Sequence, residues 1–489
     1  MSNCHSRVGN FEFSKPDIEK ACETGGLLSM EVEFSLRCNF HCPYCYVPDN
    51  AFLQHELTRE EICDTILQAK DLGARRIIVL GGEPMVYPYT MEMIKFIRGR
   101  DLEVEMFTNG FNITDYTAKQ LFDYKVNVVL KMNTFDRDLQ DMLTGEKGSY
   151  KIIQDALVSL KQAGYPSGDA HLIVSTIICR LNIEELPKMW QWLRDQQIIP
   201  YFEMITPQGN AKENEWLHVD SKRVRDLFLD LEKIDREKYG YIWESQPPLV
   251  ANKCLRHKFS CLLTSQGYIM PCVGINIPVG NIRQQKLKEI ISESEAIEDL
   301  RNHKATIKGP CHSCEKADSC YGCRGAAYQL TGDYLASDPL CWHNIERLGQ
   351  IRYLPTQTKD LIPQELPMRI VHRLLEVGDR RAKVETQVSH DMPFVSKDGL
   401  LDEVSYLELM AQAMAALHGF KQVDKSKSML EGFLLGAKNI KIFKRVHVGD
   451  ILTISVFKYA RYGEFGIVKA SIARDKDLVA EGEIKIWHK

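Results

Sequence analysis

The sequence predicts an α/β protein: a parallel sheet curled into a partial (β/α)6 barrel, then a cysteine-rich segment, then a separate α+β domain. Three observations predict it. Between 28 and 206, apolar strand patterns alternate with helical ones, as βα units do. Between 245 and 350 that alternation stops and the chain is rich in Cys, Gly and Pro. After 361, one long apolar helix is followed by glycine-separated strands.

The elements follow in chain order. Residues 1–27 form an N-terminal extension. Met30, Val32, Phe34 and Leu36 alternate with polar residues as a first strand. Thr58-x-x-Glu61 reads as a capping box, with Ile62, Ile66 and Leu67 on one helical face and Gly73 past the end. Further strands are expected at Arg76–Leu80, Glu103–Phe107, Val126–Lys131, His171–Cys179 and Ile199–Ile205. Helices are expected at Met91–Arg98, Thr117–Tyr124, Tyr150–Ala163 and Ile183–Gln196. The first part therefore spans 28–240, and sites in such sheets lie at the C-terminal strand ends. The cysteine-rich part spans 241–350, a linker 351–360 and the last domain 361–489. That domain has a helix at Glu403–His418 and strands at Ile440–Phe443, Ile451–Tyr459, Ile467–Arg474 and Val479–Trp487.

A chain of 489 residues suggests about three domains. Its 62 basic and 66 acidic residues give a net charge of −4, so neither nucleic acid nor a membrane surface is an expected partner. No apolar run approaches the roughly 18 residues of a membrane span, and the first residues lack an apolar signal core. The expected location is cytoplasmic, where disulfides are rare. Fifteen cysteines then point to metal or iron–sulfur ligation. Cys4, Cys22, Cys63 and Cys179 stand alone and read as ordinary thiols. The other eleven fall into two groups, and none follows Cys341.

The first group is Cys38-Asn-Phe-His-Cys42-Pro-Tyr-Cys45, just after the first strand. Three thiolates can hold three irons of a 4Fe–4S cluster and leave the fourth open. Zinc would need a fourth ligand, and His41 is poorly placed to supply it. The C-x3-C-x2-C spacing resembles the signature of the radical SAM superfamily. That resemblance implies that S-adenosyl-L-methionine (SAM) chelates the open iron and is cleaved to a 5′-deoxyadenosyl radical, which abstracts hydrogen from a substrate. Gly81-Gly82-Glu83-Pro84 follows the second strand and resembles the family's GGEP motif, which holds the SAM amino group. By the same resemblance Tyr44 contacts the adenine, and Asn133 stands where relatives contact the SAM carboxylate. Thr108-Asn109-Gly110 reads most simply as a turn at the same face.

The second group runs Cys254, Cys261, Cys272, Cys311, Cys314, Cys320, Cys323 and Cys341. Eight thiolates suffice for two four-iron clusters; C-x2-C pairs also occur in zinc knuckles. The order resembles the SPASM domain of sulfatase maturases and peptide-modifying radical SAM enzymes. It implies one auxiliary cluster on Cys254, Cys261, Cys272 and Cys323, and another on Cys311, Cys314, Cys320 and Cys341. Both would be fully protein-ligated and handle electrons, making three 4Fe–4S clusters in all. Sulfatase maturases carry an Asp, acting as base, directly after the third of these cysteines; here that position is Val273.

The last domain contains Leu407-Glu408-Leu409-Met410-Ala411-Gln412-Ala413, with Glu408 and Gln412 on one helical face. It resembles the central helix of hotdog-fold 3-hydroxyacyl-carrier-protein dehydratases, most nearly those of aryl-polyene clusters. The resemblance makes Glu408 the catalytic carboxylate. Their catalytic His has no counterpart after Pro393-Phe394. His390 lies upstream, and Asp398 is the replacement in that stretch. Together the resemblances imply a radical SAM oxidoreductase acting on a carrier-tethered or acyl-type substrate. The alternative is a maturase of a ribosomally made peptide. Implied partners are an electron donor such as flavodoxin or ferredoxin, an acyl carrier protein or a precursor peptide, and a second copy paired through the hotdog domain.

Overall fold

In the computed structural model the described residues are 13–48, 53–378, 380–421, 432–475 and 477–488. Cys4 lies outside them. The chain divides into two compact units, Met1–Gln329 with Tyr334–Leu348, and Leu330–Asp333 with Gly349–Lys489. No helix among the described residues is long and apolar enough to cross a membrane.

The first unit is built on β1 (Ser29–Glu33), β2 (Arg76–Leu80), β3 (Glu103–Thr108), β4 (Asn127–Lys131), β5 (Leu172–Ile178) and β6 (Ile199–Met204). They lie side by side in sequence order, all parallel. The sheet continues past β1 through β7 (Leu262–Leu263), β8 (Tyr268–Met270) and β9 (Gly280–Asn281). β7 runs parallel to β1, and the other two complete an antiparallel meander. The cysteine-rich segment thus widens the sheet instead of standing apart from it. β6 and β9 are the edges, so the barrel is open.

The capping box at Thr58 and Glu61 forms as expected and starts the helix Arg59–Asp71. Two helices, Arg137–Thr144 and Ser149–Ala163, separate β4 from β5 where one was expected. The added one is capped by Asp136, whose carboxylate accepts from Leu139 N. Helix Lys15–Thr24 lies in the N-terminal extension, for which no element was expected; Ser14 caps its start and left-handed Gly25 ends it. Every residue of β1 is buried. Met30, Val32 and Phe34 join the core beneath the helices, while Glu31 and Glu33 occupy the opposite, inner face. Alternation in β1 therefore separates two buried environments, not core from water.

The second unit is one antiparallel sheet with order β10-β11-β12-β14-β15-β16-β13. Its strands are β10 (Thr356–Gln357), β11 (Arg373–Val377), β12 (Arg381–Gln387), β13 (Gly432–Ile442), β14 (Ile451–Tyr462), β15 (Phe465–Arg474) and β16 (Asp477–His488). Part of the stretch expected as a linker is thus a strand. Helix Ser405–Lys421 buries Tyr406, Leu409, Met410, Ala413 and Leu417 in the core of the sheet. Gly419 permits the closest approach, since a Cβ there would run into the Leu361 carbonyl. β13 is an edge strand that exposes Phe433, Leu434, Leu435 and Ile442.

Candidate active site

A cavity of about 340 Å³ opens at the C-terminal ends of the parallel strands. Cys38, Cys42 and Cys45 line it together with Gly81, Gly82 and Glu83. The cysteine loop is held from two sides. His41 N donates to Thr144 O across 2.9 Å, and Asn210 N donates to Cys45 O across 2.9 Å. Gly145 and Gly209 have positive φ, and a Cβ on either would strike the backbone of His41 or Tyr46. Burial pushes the Cys38 thiol up to about 11 and the Cys42 thiol up to about 12. Such thiols lose their protons on taking a metal, so loading releases protons.

The glycines of the Gly-Gly-Glu turn are steric necessities. Gly81 has φ of 136°, and its Cβ would strike Ser35 O; that of Gly82 would strike Arg37 O. Gly82 N and Glu83 N donate to these same carbonyls, at 2.9 Å each. Glu83 is buried, and burial pushes its carboxyl up to about 7. Its Oε1 accepts from Met85 N at 3.0 Å and Thr108 Oγ1 at 2.7 Å; its Oε2 accepts from Asn109 N at 2.6 Å. A carboxylate has about four acceptor positions, so one remains on Oε2. An ammonium there would satisfy it and restore the charge. The Thr108-Asn109 turn is thus part of the site: Asn109 also lines the cavity and bonds Asn39 Oδ1 at 2.9 Å. In the sequence alone these residues resemble an ordinary turn; the signal for their role is their place one strand after the glycines.

Tyr44 lines the cavity, but Asn133 does not. Asn133 is fully buried, and its side chain is engaged by Tyr44 Oη at 2.8 Å and Ile177 N at 3.1 Å. It braces Tyr44 from behind and is not open to the cavity, which departs from its expected contact. The inner sheet face adds Lys131, paired with Glu203 at 3.3 Å. Arg256 pairs with buried Glu31 and donates to Tyr201 Oη at 2.8 Å. Burial pushes the Glu33 carboxyl up to about 7 despite bonds from Tyr46 Oη and Ser265 N.

The same cavity is lined by Cys254, Cys272 and Cys323. Cys261, expected as their fourth partner, is not there. It lies just before β7, buried in the core, where the charges that reach it are those of Arg301 and Glu31. Around the three thiols, Arg324 Nε and Nη2 and His257 Nδ1 are buried with no partner among the described residues. The unpaired Arg324 N–H groups beside these thiols suit an anionic, acceptor-rich group such as an iron–sulfur cluster, whereas His257 donates to the Pro271 carbonyl and leaves Nδ1 as an acceptor. Burial, then the Arg324 and Arg256 charges, pull His257 down to about 3, so it is neutral.

Cys311, Cys320 and Cys341 form another group in mutual electrostatic contact. Cys314 follows in the turn, with its backbone N–H 3.4 Å from Cys311 O. Their sulfurs accept from N–H donors: Asn344 Nδ2 at 3.3 Å to Cys311, Gly322 N at 3.2 Å to Cys320 and Lys316 N at 3.5 Å to Cys314. Such bonds tune cluster potentials. Buried Asp338 accepts from Cys323 N at 2.7 Å and lies against Cys341, whose thiol its charge helps to raise.

In the second unit Glu408 lines a pocket of about 200 Å³ with His418 and Phe433. Gln412 Nε2 donates to Glu408 Oε1 at 2.7 Å and to Met368 O at 2.7 Å, fixing the carboxylate. Asp398 is not in this pocket. It sits in an exposed turn closed by Gly399 N to Ser396 O at 2.9 Å, hydrogen-bonded by the Ser396 hydroxyl. Asp398, expected as a catalytic group, is therefore not among the residues that line the Glu408 pocket. His390 is exposed near Gly399. The imidazole that shares the Glu408 pocket is His418, which sequence reading passed over although it lies ten residues on along the same helix.

Comparison with known proteins agrees in all three regions. Residues 32–193 match the radical SAM superfamily, residues 254–315 the SPASM iron–sulfur cluster-binding domain, and residues 356–489 the ApeP dehydratase family. The AdoMet-dependent heme synthase of Methanosarcina barkeri is 25% identical over 335 residues, covering 63% of this chain and 94% of that protein. The structure of Streptococcus suis SuiB bound to S-adenosylmethionine has a TM-score of 0.51 at 17% identity, covering 65% of this chain and 78% of that one. The dehydratase heterocomplex ApeI:P from Xenorhabdus doucetiae is 24% identical, with a TM-score of 0.26, over 28% of this chain and 93% of that one.

Proposed function

Because the chain carries a radical SAM core, a SPASM segment and an ApeP-like region, we propose that it is an enzyme that binds SAM and removes hydrogen from a carrier-tethered or acyl-type substrate. The observation that carries this reading is the single cavity. It joins the Cys38, Cys42 and Cys45 thiols, the Gly-Gly-Glu turn and the Cys254, Cys272 and Cys323 thiols. SAM on the reduced cluster supplies the hydrogen-abstracting radical. The chain's own residues do the rest. Cys38, Cys42 and Cys45 hold the cluster, the free position on Glu83 takes the SAM ammonium, and Tyr44, braced by Asn133, forms the wall for the adenine. The half-buried Lys131–Glu203 pair and the Arg256–Glu31 pair orient polar substrate groups and exclude water. The Cys311, Cys314, Cys320 and Cys341 set completes three clusters and relays electrons, with a flavodoxin or ferredoxin as donor. The ApeP-like region, with Glu408 and His418 in its pocket, binds the acyl or carrier partner and pairs two copies through β13.

A second reading, modification of a ribosomally made peptide, draws support from the two ion pairs on the cavity wall, which suit amide-rich chains. One experiment decides between them. The anaerobically reconstituted, reduced chain is given SAM with a deuterated acyl-carrier thioester or a deuterated peptide. Deuterium in 5′-deoxyadenosine from the thioester alone is the expected result. Transfer from the peptide alone favours the second reading, and no 5′-deoxyadenosine at all sinks both.

A further inference from the structure

We propose that Asn344 is a positioning residue that sets the second auxiliary cluster, on Cys311, Cys314, Cys320 and Cys341, at a higher reduction potential than the first. An electron that reaches the first auxiliary cluster then passes outward to the second and not back. The proposal rests on the iron–sulfur reading given above and gives its electron relay a direction.

The Cys311 sulfur is the centre of the arrangement. Asn344 Nδ2 donates to it at 3.3 Å and to Asp338 O at 2.8 Å. That carbonyl fixes which end of the amide faces the sulfur, since only the nitrogen can serve it. Asn344 is buried, and its backbone N–H donates to Cys341 O at 2.9 Å. Asp338 N adds a second bond to the Cys311 sulfur at 3.4 Å. One side chain thus ties the first cysteine of this group to the segment that carries the last.

The two groups differ in such donors. In the second, Gly322 N serves Cys320 at 3.2 Å and Lys316 N serves Cys314 at 3.5 Å. In the first, Ala326 N serves Cys323 at 3.4 Å, and no side-chain amide takes part among the described residues. The N–H groups of Ile275 and His343 add one contact to each group, at Cys272 and Cys341. N–H donors favour the more negative, reduced state of a cluster and so raise its potential.

The nearby charges leave this difference in place. Asp338 and Arg324 act on both groups, on Cys323 in the first and on Cys320 in the second. Arg256 reaches Cys254 and Glu31 reaches Cys272, but these two form an ion pair and offset each other. His312, Ser313 and Glu315, between cysteines of the second group, are exposed, so the outer cluster lies where a partner protein can exchange electrons. In the transfer the reduced first cluster loses one electron and the oxidised second cluster gains it. No proton moves and no bond breaks.

The test uses the full chain with Cys38, Cys42 and Cys45 changed to Ala, which leaves only the auxiliary groups. It is reconstituted anaerobically to about eight irons per chain and titrated with dithionite, the reduced clusters being read by electron paramagnetic resonance. The expected result is two separate one-electron waves, of which Asn344→Leu lowers the higher alone. Loss of one hydrogen bond shifts the equilibrium between the clusters by about tenfold, or about 59 mV for one electron. Asn344→Asp keeps the shape without the N–H donor; it lowers the same wave and decides if the leucine variant takes up too little iron. A shift of the lower wave, no shift in either variant, or a single wave in the chain that retains Asn344 would overturn the proposal. If neither variant loads, a chain that also lacks Cys254, Cys272 and Cys323 shows the second cluster alone, and its titration at the lower potential would overturn it too. A chain in which no four-iron signal appears, with or without the first three cysteines, sinks the iron–sulfur reading itself.

Discussion

The backbone N–H of Asn109 donates to Glu83 Oε2 across 2.6 Å, tying the turn after β3 to the glycine turn after β2. Thr108 adds a second bond to the same carboxylate at 2.7 Å. Hydrogen bonds to a charged group contribute about 1.5–3 kcal/mol. Thr108→Val is therefore expected to weaken SAM binding by about tenfold or more while leaving the fold intact, as read by equilibrium dialysis and circular dichroism. An unchanged dissociation constant would show that the carboxylate needs no such bracing.

Gly82→Ala places a methyl against the Arg37 and Leu36 carbonyls, directly before Cys38. The cysteine loop must move, so iron content should fall by about four per chain and SAM cleavage should stop. Full iron loading with normal cleavage would refute the steric account.

Glu33 gives the stability a pH dependence. Burial raises its carboxyl from 4.5 to about 7, so between those values the folded chain keeps a proton that the unfolded chain has lost. Stability then falls as pH rises through this window, by about 3 kcal/mol in full. Glu33→Gln carries no charge at any pH. Its urea midpoint should be near wild type at pH 5 and above it at pH 8. A gap of the same size at both would argue against a neutral Glu33.

β13 presents Phe433, Leu434 and Leu435 on an unpaired strand edge. Such edges pair with other chains. Leu435→Lys should convert a dimer to a monomer in light scattering without changing the far-ultraviolet spectrum. A wild-type chain already monomeric at micromolar concentration would remove this strand as the interface.

The six parallel strands and the capping box were legible because period-two and period-3.6 patterns are local. The Cys38–Cys45 and Gly81–Glu83 motifs were legible because each follows a strand directly. The burial of Cys261 in the core just before β7 was not legible, because order along the chain carries no face. β11 and β12 escaped because their outer residues, such as Glu376 and Lys383, form cross-strand charge pairs that read as loop. Asp398 looked chemically apt, but the Ser396–Gly399 turn holds it at the surface. His418 was passed over because its partner in the pocket lies ten residues away, beyond the motif.

The pairing of β1 with β7 also bears on how the chain is made. Ser29 and Ser260 are in contact, yet 231 residues apart. During synthesis the β7-facing edge of β1 therefore waits, unpaired, for most of the first unit to leave the ribosome. A chain released before residue 262 would keep that edge open, and an unpaired strand edge is a template for aggregation. The last strands of the sheet thus act as its closing seam in biosynthesis, so cysteine-rich loops and barrel have to mature together.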